Sequence, residues 1–151
     1  MNHSTQYRQL ALMFGLHLVM MYILMYAMVD SPANIHHNYN QVYMAVLMAS
    51  PMLVLEVMLM RSMYPNKKLN GGIIAAGLVL LVGSFFFIRG QVAIADEQFL
   101  HSMIPHHAGA VLMCEKAHLE DAQVQQLCNN ILTGQNAEIE WMNTKLDSLQ
   151  R

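Results

Sequence analysis

The stretch LALMFGLHLVMMYILMYAMV, Leu10 to Val29, decides the fold. It is apolar almost throughout, broken only by Gly15, His17 and tyrosines. At about 1.5 Å of rise per residue, a helix of this length reaches across the ~30 Å hydrocarbon core of a bilayer. A cleaved signal peptide would have a shorter apolar core and a small-residue cleavage site behind it. Two further apolar runs follow instead. Val42 to Met60 holds Pro51 near its middle and Glu56 near its end, and Gly72 to Ile88 is short but workable with Asn70, Arg89 and Gly90 in the interface. The expectation is an all-α membrane protein with transmembrane helices over about 10–29, 42–60 and 72–88.

Composition agrees: 55% of the 151 residues are hydrophobic and 12% charged, well under the roughly 25% of an average soluble domain. A net charge of −2, with no basic patch, argues against nucleic acid as a partner. Methionine (15) and histidine (8) supply much of the polar and polarizable chemistry, although most of the methionines suit the role of apolar filler. Arg8, Arg61, Lys67 and Lys68 flank one side of the spans, against Arg89 alone on the other. The positive-inside rule then predicts a cytoplasmic amino terminus in a bacterial inner membrane, with the carboxy-terminal segment extracytoplasmic, hence periplasmic in a Gram-negative cell. Two regions result, a membrane region 1–90 and a soluble domain 91–151.

From Gln91 onward the pattern becomes amphipathic. Phe99, Met103, His106 or His107, Ala110 and Met113 or Cys114 recur at helical spacing, as do Val124, Cys128, Ile131, Gln135, Glu138, Met142 and Leu146. The polar stretch His118 to Asp121 reads as the turn of an antiparallel helical hairpin. Folded about Asp121, it sets Cys114 beside Cys128, His107 beside Gln135, and Met103 near Glu138 and Met142. In an extracytoplasmic segment the two cysteines suit a disulfide. Two buried thiols, or a thiolate pair binding a soft metal, remain as alternatives.

The run DEQFLHSMIPHHAGAVLM, Asp96 to Met113, is the most informative part of the domain. Pro105 removes a backbone donor and frees the carbonyl of His101, so a kink is expected beside Met103 and the paired histidines. A thioether and an imidazole three or four residues apart share one face, a donor mixture that favours Cu(I), Ag(I) or Cu(II) over hard cations. The plainer alternative is a kinked amphipathic helix with incidental histidines.

This string, followed by Gln135, Glu138, Ile139 and Met142, closely resembles the family known as domain of unknown function 305, which includes CopM-like periplasmic copper-binding proteins. The resemblance covers about Asp96 to Leu146. It implies a ferritin-like helical bundle binding copper, and silver too, with Met103, His106, His107 and Met142 as ligands by position and Met113, Gln135 and Glu138 as weaker candidates. One hairpin is half of such a bundle, so pairing of two copies is expected to complete four helices. The spans in front argue against a freely diffusing carrier.

Other residues could widen the donor set. His36 and His37, in the loop on the hairpin's side of the membrane, and His101 are candidate further donors. Within the spans, Met13, His17, Met21, Met25 and Met28 share a face, and Met44, Met48, Met52, Glu56 and Met60 repeat every fourth residue. These are ordinary packing or, less plainly, a thioether ladder; His17 and Glu56 are the intramembrane polar groups expected to face a partner. The expected function is a membrane-anchored copper-binding protein for sequestration or handover, exchanging metal with a donor or acceptor protein. The alternatives are a small copper transporter or transporter subunit, and an interaction protein. No hydrolase triad, nucleotide loop or zincin motif points to an enzyme.

Overall fold

The structure, a computed structural model, describes residues 3–149, with side chains from residue 5 onward. The outermost residues of the regions 1–90 and 91–151 lie outside that range. Five α-helices run in order: α1 (His3–Leu24), α2 (Tyr39–Leu59), α3 (Lys67–Gly90), α4 (Asp96–Lys116) and α5 (Ala122–Leu149). Short 3-10 turns at Met25–Met28 and Pro32–Asn34 lie between α1 and α2, and no strand occurs among the described residues. Thr5–Met28, Tyr39–Leu59 and Lys67–Gly90 are long and apolar enough to cross a membrane. The third exceeds its expected limits of 72–88 because capping residues set its ends. Asn66 Oδ1 accepts the amide of Leu69 (3.1 Å), and Gln91 stops the helix in the left-handed region at φ 47°.

The chain divides into two compact units. One holds α1, α2 and α3; the other joins Tyr26–Tyr39 to the segment from Ala93 onward. The segment between α1 and α2 thus packs with the hairpin rather than with the three apolar helices. The physical reason is a set of polar contacts between that loop and α4, described below.

In the first unit Leu10, Leu53, Val57 and Tyr64 are buried together, with Tyr7, Phe14 and Ile74 against them. Gly77 lets α3 approach α2: a Cβ there would lie 3.0 Å from Val54 Cγ2 and 3.4 Å from the Ser50 carbonyl. Small residues at such crossings are what membrane helices use to pack closely. His17 and Glu56 line different cavities. His17 borders one of about 490 Å³ with Met13, Met20 and Met52. Glu56 borders one of about 140 Å³ and accepts a hydrogen bond from the Tyr64 hydroxyl at 3.2 Å. Met13, Met28, Met44, Met48 and Met60 are exposed, and Met21, Met25 and Met52 are half-buried.

In the second unit, His107 meets Glu138 and Cys114 meets Cys128, so α4 and α5 run antiparallel. Their shared core is Leu100, Ile104, Ala108 and Val111 from α4 with Ile139, Met142 and Leu146 from α5. Spacings of three and four residues make this a helical stripe. It lies about one residue from the expected face on α4: Phe99 and Met113 are exposed, while Leu100 and Ile104 are buried. Asp96 and Glu97 in the first turn of α4 and Lys116 in its last complement the helix dipole. Asp121 opens α5, its Oδ1 accepting the amides of Gln123 and Val124, both at 2.9 Å.

Candidate metal centre

Met103, His106 and His107 occupy one turn and a half of α4 around Pro105. Met103 packs against the hairpin core, in which Met142 is buried, so the fold brings these two thioethers to one cluster. His107 is buried, and its Nε2 lies 2.8 Å from Glu138 Oε2 on α5. Its Nδ1 is buried without a hydrogen-bond partner. The carboxylate accepts a hydrogen bond from Nε2–H, which in the neutral imidazole makes Nδ1 the lone-pair nitrogen. This carboxylate–imidazole pairing is the arrangement that orients a metal-ligating histidine.

The partner differs from the expected neighbour Gln135. Side chains of a helix lean toward its amino end, so Glu138 reaches back one turn to the level of His107. Gln135 is half-buried, while His106 and Met113 are exposed, off the core stripe. The rings of His106 and His107 stand 6.0 Å apart on different sides of the helix. Among the described residues, no group of three or more His, Cys, Asp or Glu side chains is arranged to hold a metal ion.

Cys114 and Cys128 are joined as a disulfide, their Cα atoms 5.3 Å apart. The bond ties the carboxy-terminal end of α4 to the first turns of α5 and closes the short turn between them. In the chain-entropy account, cross-linking a loop of this size contributes about 3 kcal/mol.

The second histidine cluster is formed by the loop. Pro105 lacks the amide that would bond the His101 carbonyl. Asn38, buried, fills the gap: its Nδ2 donates to the carbonyls of His101 (3.3 Å) and His36 (3.0 Å). The Tyr39 amide donates to Gln98 Oε1 at 3.0 Å, and the Tyr26 hydroxyl to the His36 carbonyl at 2.9 Å. At Gly109 the Met28 carbonyl lies 3.4 Å from where a Cβ would stand, ordinary contact distance, so the loop rests directly on α4. These contacts bring His36 Nδ1 to 3.0 Å from His101 Nδ1. Burial first, then His101, holds His36 below the ordinary imidazole range, with Asn143 opposing and His37 adding to the depression. His37 lies edge-on to Tyr26. Asn38 is the residue that sequence reasoning missed, and the carbonyl freed by Pro105 was the signal for it, because a buried acceptor requires a donor.

Residues 88–146 match the family described as Domain of unknown function (DUF305). An uncharacterized protein of Acanthamoeba polyphaga mimivirus is 33% identical over 120 residues, covering 78% of this chain and 77% of that protein. That alignment is too long to be confined to the hairpin, so the likeness extends into the amino-terminal helices. No solved structure matches. The hairpin motif and this relative together place the chain in the DUF305 family.

Proposed function

We propose that the chain is a membrane-anchored protein whose hairpin, on the extracytoplasmic side, binds a soft metal ion, copper foremost and silver with it, for sequestration or handover. The observation behind this is His107: a buried imidazole with Nε2 held by Glu138 and Nδ1 unpartnered, on the helix that contributes Met103 to a cluster containing Met142. Burying a polar nitrogen without a partner costs free energy, and a ligated ion would recover it. Thioether with imidazole suits Cu(I) and Ag(I) over hard cations. The ion would be held by Met103, His107 and Met142, with the exposed His106 as an entry ligand.

The test is competition for Cu(I) against a chelator with the full chain in detergent. Met103→Leu and Met142→Leu keep side-chain volume and should cost under about 1.5 kcal/mol of stability, yet each should lower Cu(I) affinity at least tenfold. Wild-type affinity in both variants, with helicity intact, would sink the reading.

The side of the membrane follows from the basic residues and is supported by the packing of Tyr26–Tyr39 with the hairpin, since a first loop and a segment after a third span share one face. An alkaline phosphatase fusion at the carboxy end is expected to be active and one at Asn66 inactive. The reverse pattern would put the metal site in the cytoplasm. Phe99, Met113, Leu127 and Trp141 remain exposed on a single hairpin, which supports pairing of two copies into a four-helix bundle.

A further inference from the structure

We infer that His36 and His101 form a second metal site, a two-imidazole clamp for a monovalent d10 ion such as Ag(I) or Cu(I), built where the loop between α1 and α2 docks on α4. It stands apart from the hairpin-core reading, since it uses none of that site's donors.

Geometry is the first support. The two Nδ1 atoms face each other at 3.0 Å, with the rings 5.1 Å apart. Nitrogens bound to one ion at about 2.0 Å each stand roughly 3.3 to 4 Å apart, from tetrahedral to collinear. The rings must therefore separate by about 1 Å or less. The hinge for that movement is a loop, held by Asn38 through backbone carbonyls rather than through either imidazole.

Proton placement is the second. Glu97 stands 3.6 Å from His101 Nε2, so the carboxylate favours the proton on that nitrogen and leaves His101 Nδ1 as a lone pair. His36 then donates its Nδ1 proton to His101, and Asn143 is the other side chain acting on the ring. On binding, the ion takes the place of the shared proton between the Nδ1 atoms. His36 moves that proton to Nε2, so no net proton is released and no redox partner is needed.

Donor count sets the class of ion. No third His, Cys, Asp or Glu among the described residues completes a site with these two. Zn2+ takes four ligands in structural sites and three plus water in catalytic ones. A monovalent d10 ion is satisfied by two, and imidazole suits copper.

The test uses the full chain in detergent and Ag(I) in chloride-free buffer, with stoichiometry read by calorimetry. His36→Gln and His101→Gln should each lose one equivalent, and the double variant should lose no more than either alone. In a His107→Ala background, His36→Gln should still remove one equivalent, which separates this site's failure from that of the hairpin core. Full stoichiometry in both single variants would overturn the proposal. So would loss of two equivalents in the double variant, or no further loss when His36→Gln is added to His107→Ala. Should a variant fail to fold, nitrogen-15 histidine spectra of the unaltered chain decide. One equivalent of Ag(I) shifting Nδ1 of both His36 and His101 supports the clamp, and shifts confined to other histidines refute it.

Discussion

Ile104→Ala is expected to destabilise the hairpin by about 3 kcal/mol, within the 2–5 kcal/mol typical of truncating a buried aliphatic side chain. Ile104 is fully buried and central to the stripe formed by Leu100, Ala108, Val111, Ile139 and Met142. Both the lost transfer free energy and the cavity term apply, because neighbours on two tied helices can collapse only in part. Phe99→Ala is the control. Phe99 is half exposed, so in a single hairpin its removal should cost under about 1 kcal/mol. Hydrogen exchange of α4 amides in detergent reads the opening free energy of this unit apart from the spans. A larger loss in Phe99→Ala than in Ile104→Ala would return the core to the face that begins at Phe99, and with it move His107 out of the interior.

The slip of that face has a physical cause. Apolar residues are abundant on several sides of α4, so periodicity alone admits both the series through Phe99 and Met113 and the one through Leu100, Ile104 and Val111. Small Ala108 and Gly109, which tell little about burial by hydrophobicity, are both buried on this side of α4. The three apolar helices were legible because each is one continuous run, and the Cys114–Cys128 juxtaposition because it needs only a turn between two helices. Docking of Tyr26–Tyr39 on α4 was not. That loop has no repeating pattern, and its attachment depends on single hydrogen bonds from Asn38 and Tyr39. Of the residues the motif names, Met103 and Met142 belong to the hairpin core and His107 is buried, whereas His106 and Met113 turn outward because adjacent or ill-phased positions on a helix face different ways.

Glu138→Gln is expected to weaken Cu(I) binding about 10- to 100-fold, the usual cost of disturbing the group that orients a ligating histidine. Glu138 Oε2 lies 2.8 Å from His107 Nε2 and can only accept, so the proton stays on Nε2 and the buried Nδ1 keeps its lone pair. A glutamine at this position carries no charge to raise the basicity of the ring. Its amide can also turn its NH2 group to Nε2, which drives the proton to Nδ1 and removes the donor. The Glu138 side chain is 61% exposed, so the folded state should lose under about 1 kcal/mol from the broken pair. His107→Ala, which deletes the imidazole, should lose more affinity than Glu138→Gln and also some stability, since it empties a buried position. Chelator competition for Cu(I) and thermal melts on the same samples separate the two effects. If Glu138→Gln keeps wild-type affinity while His107→Ala loses it, the imidazole does not bind through a carboxylate-oriented Nδ1.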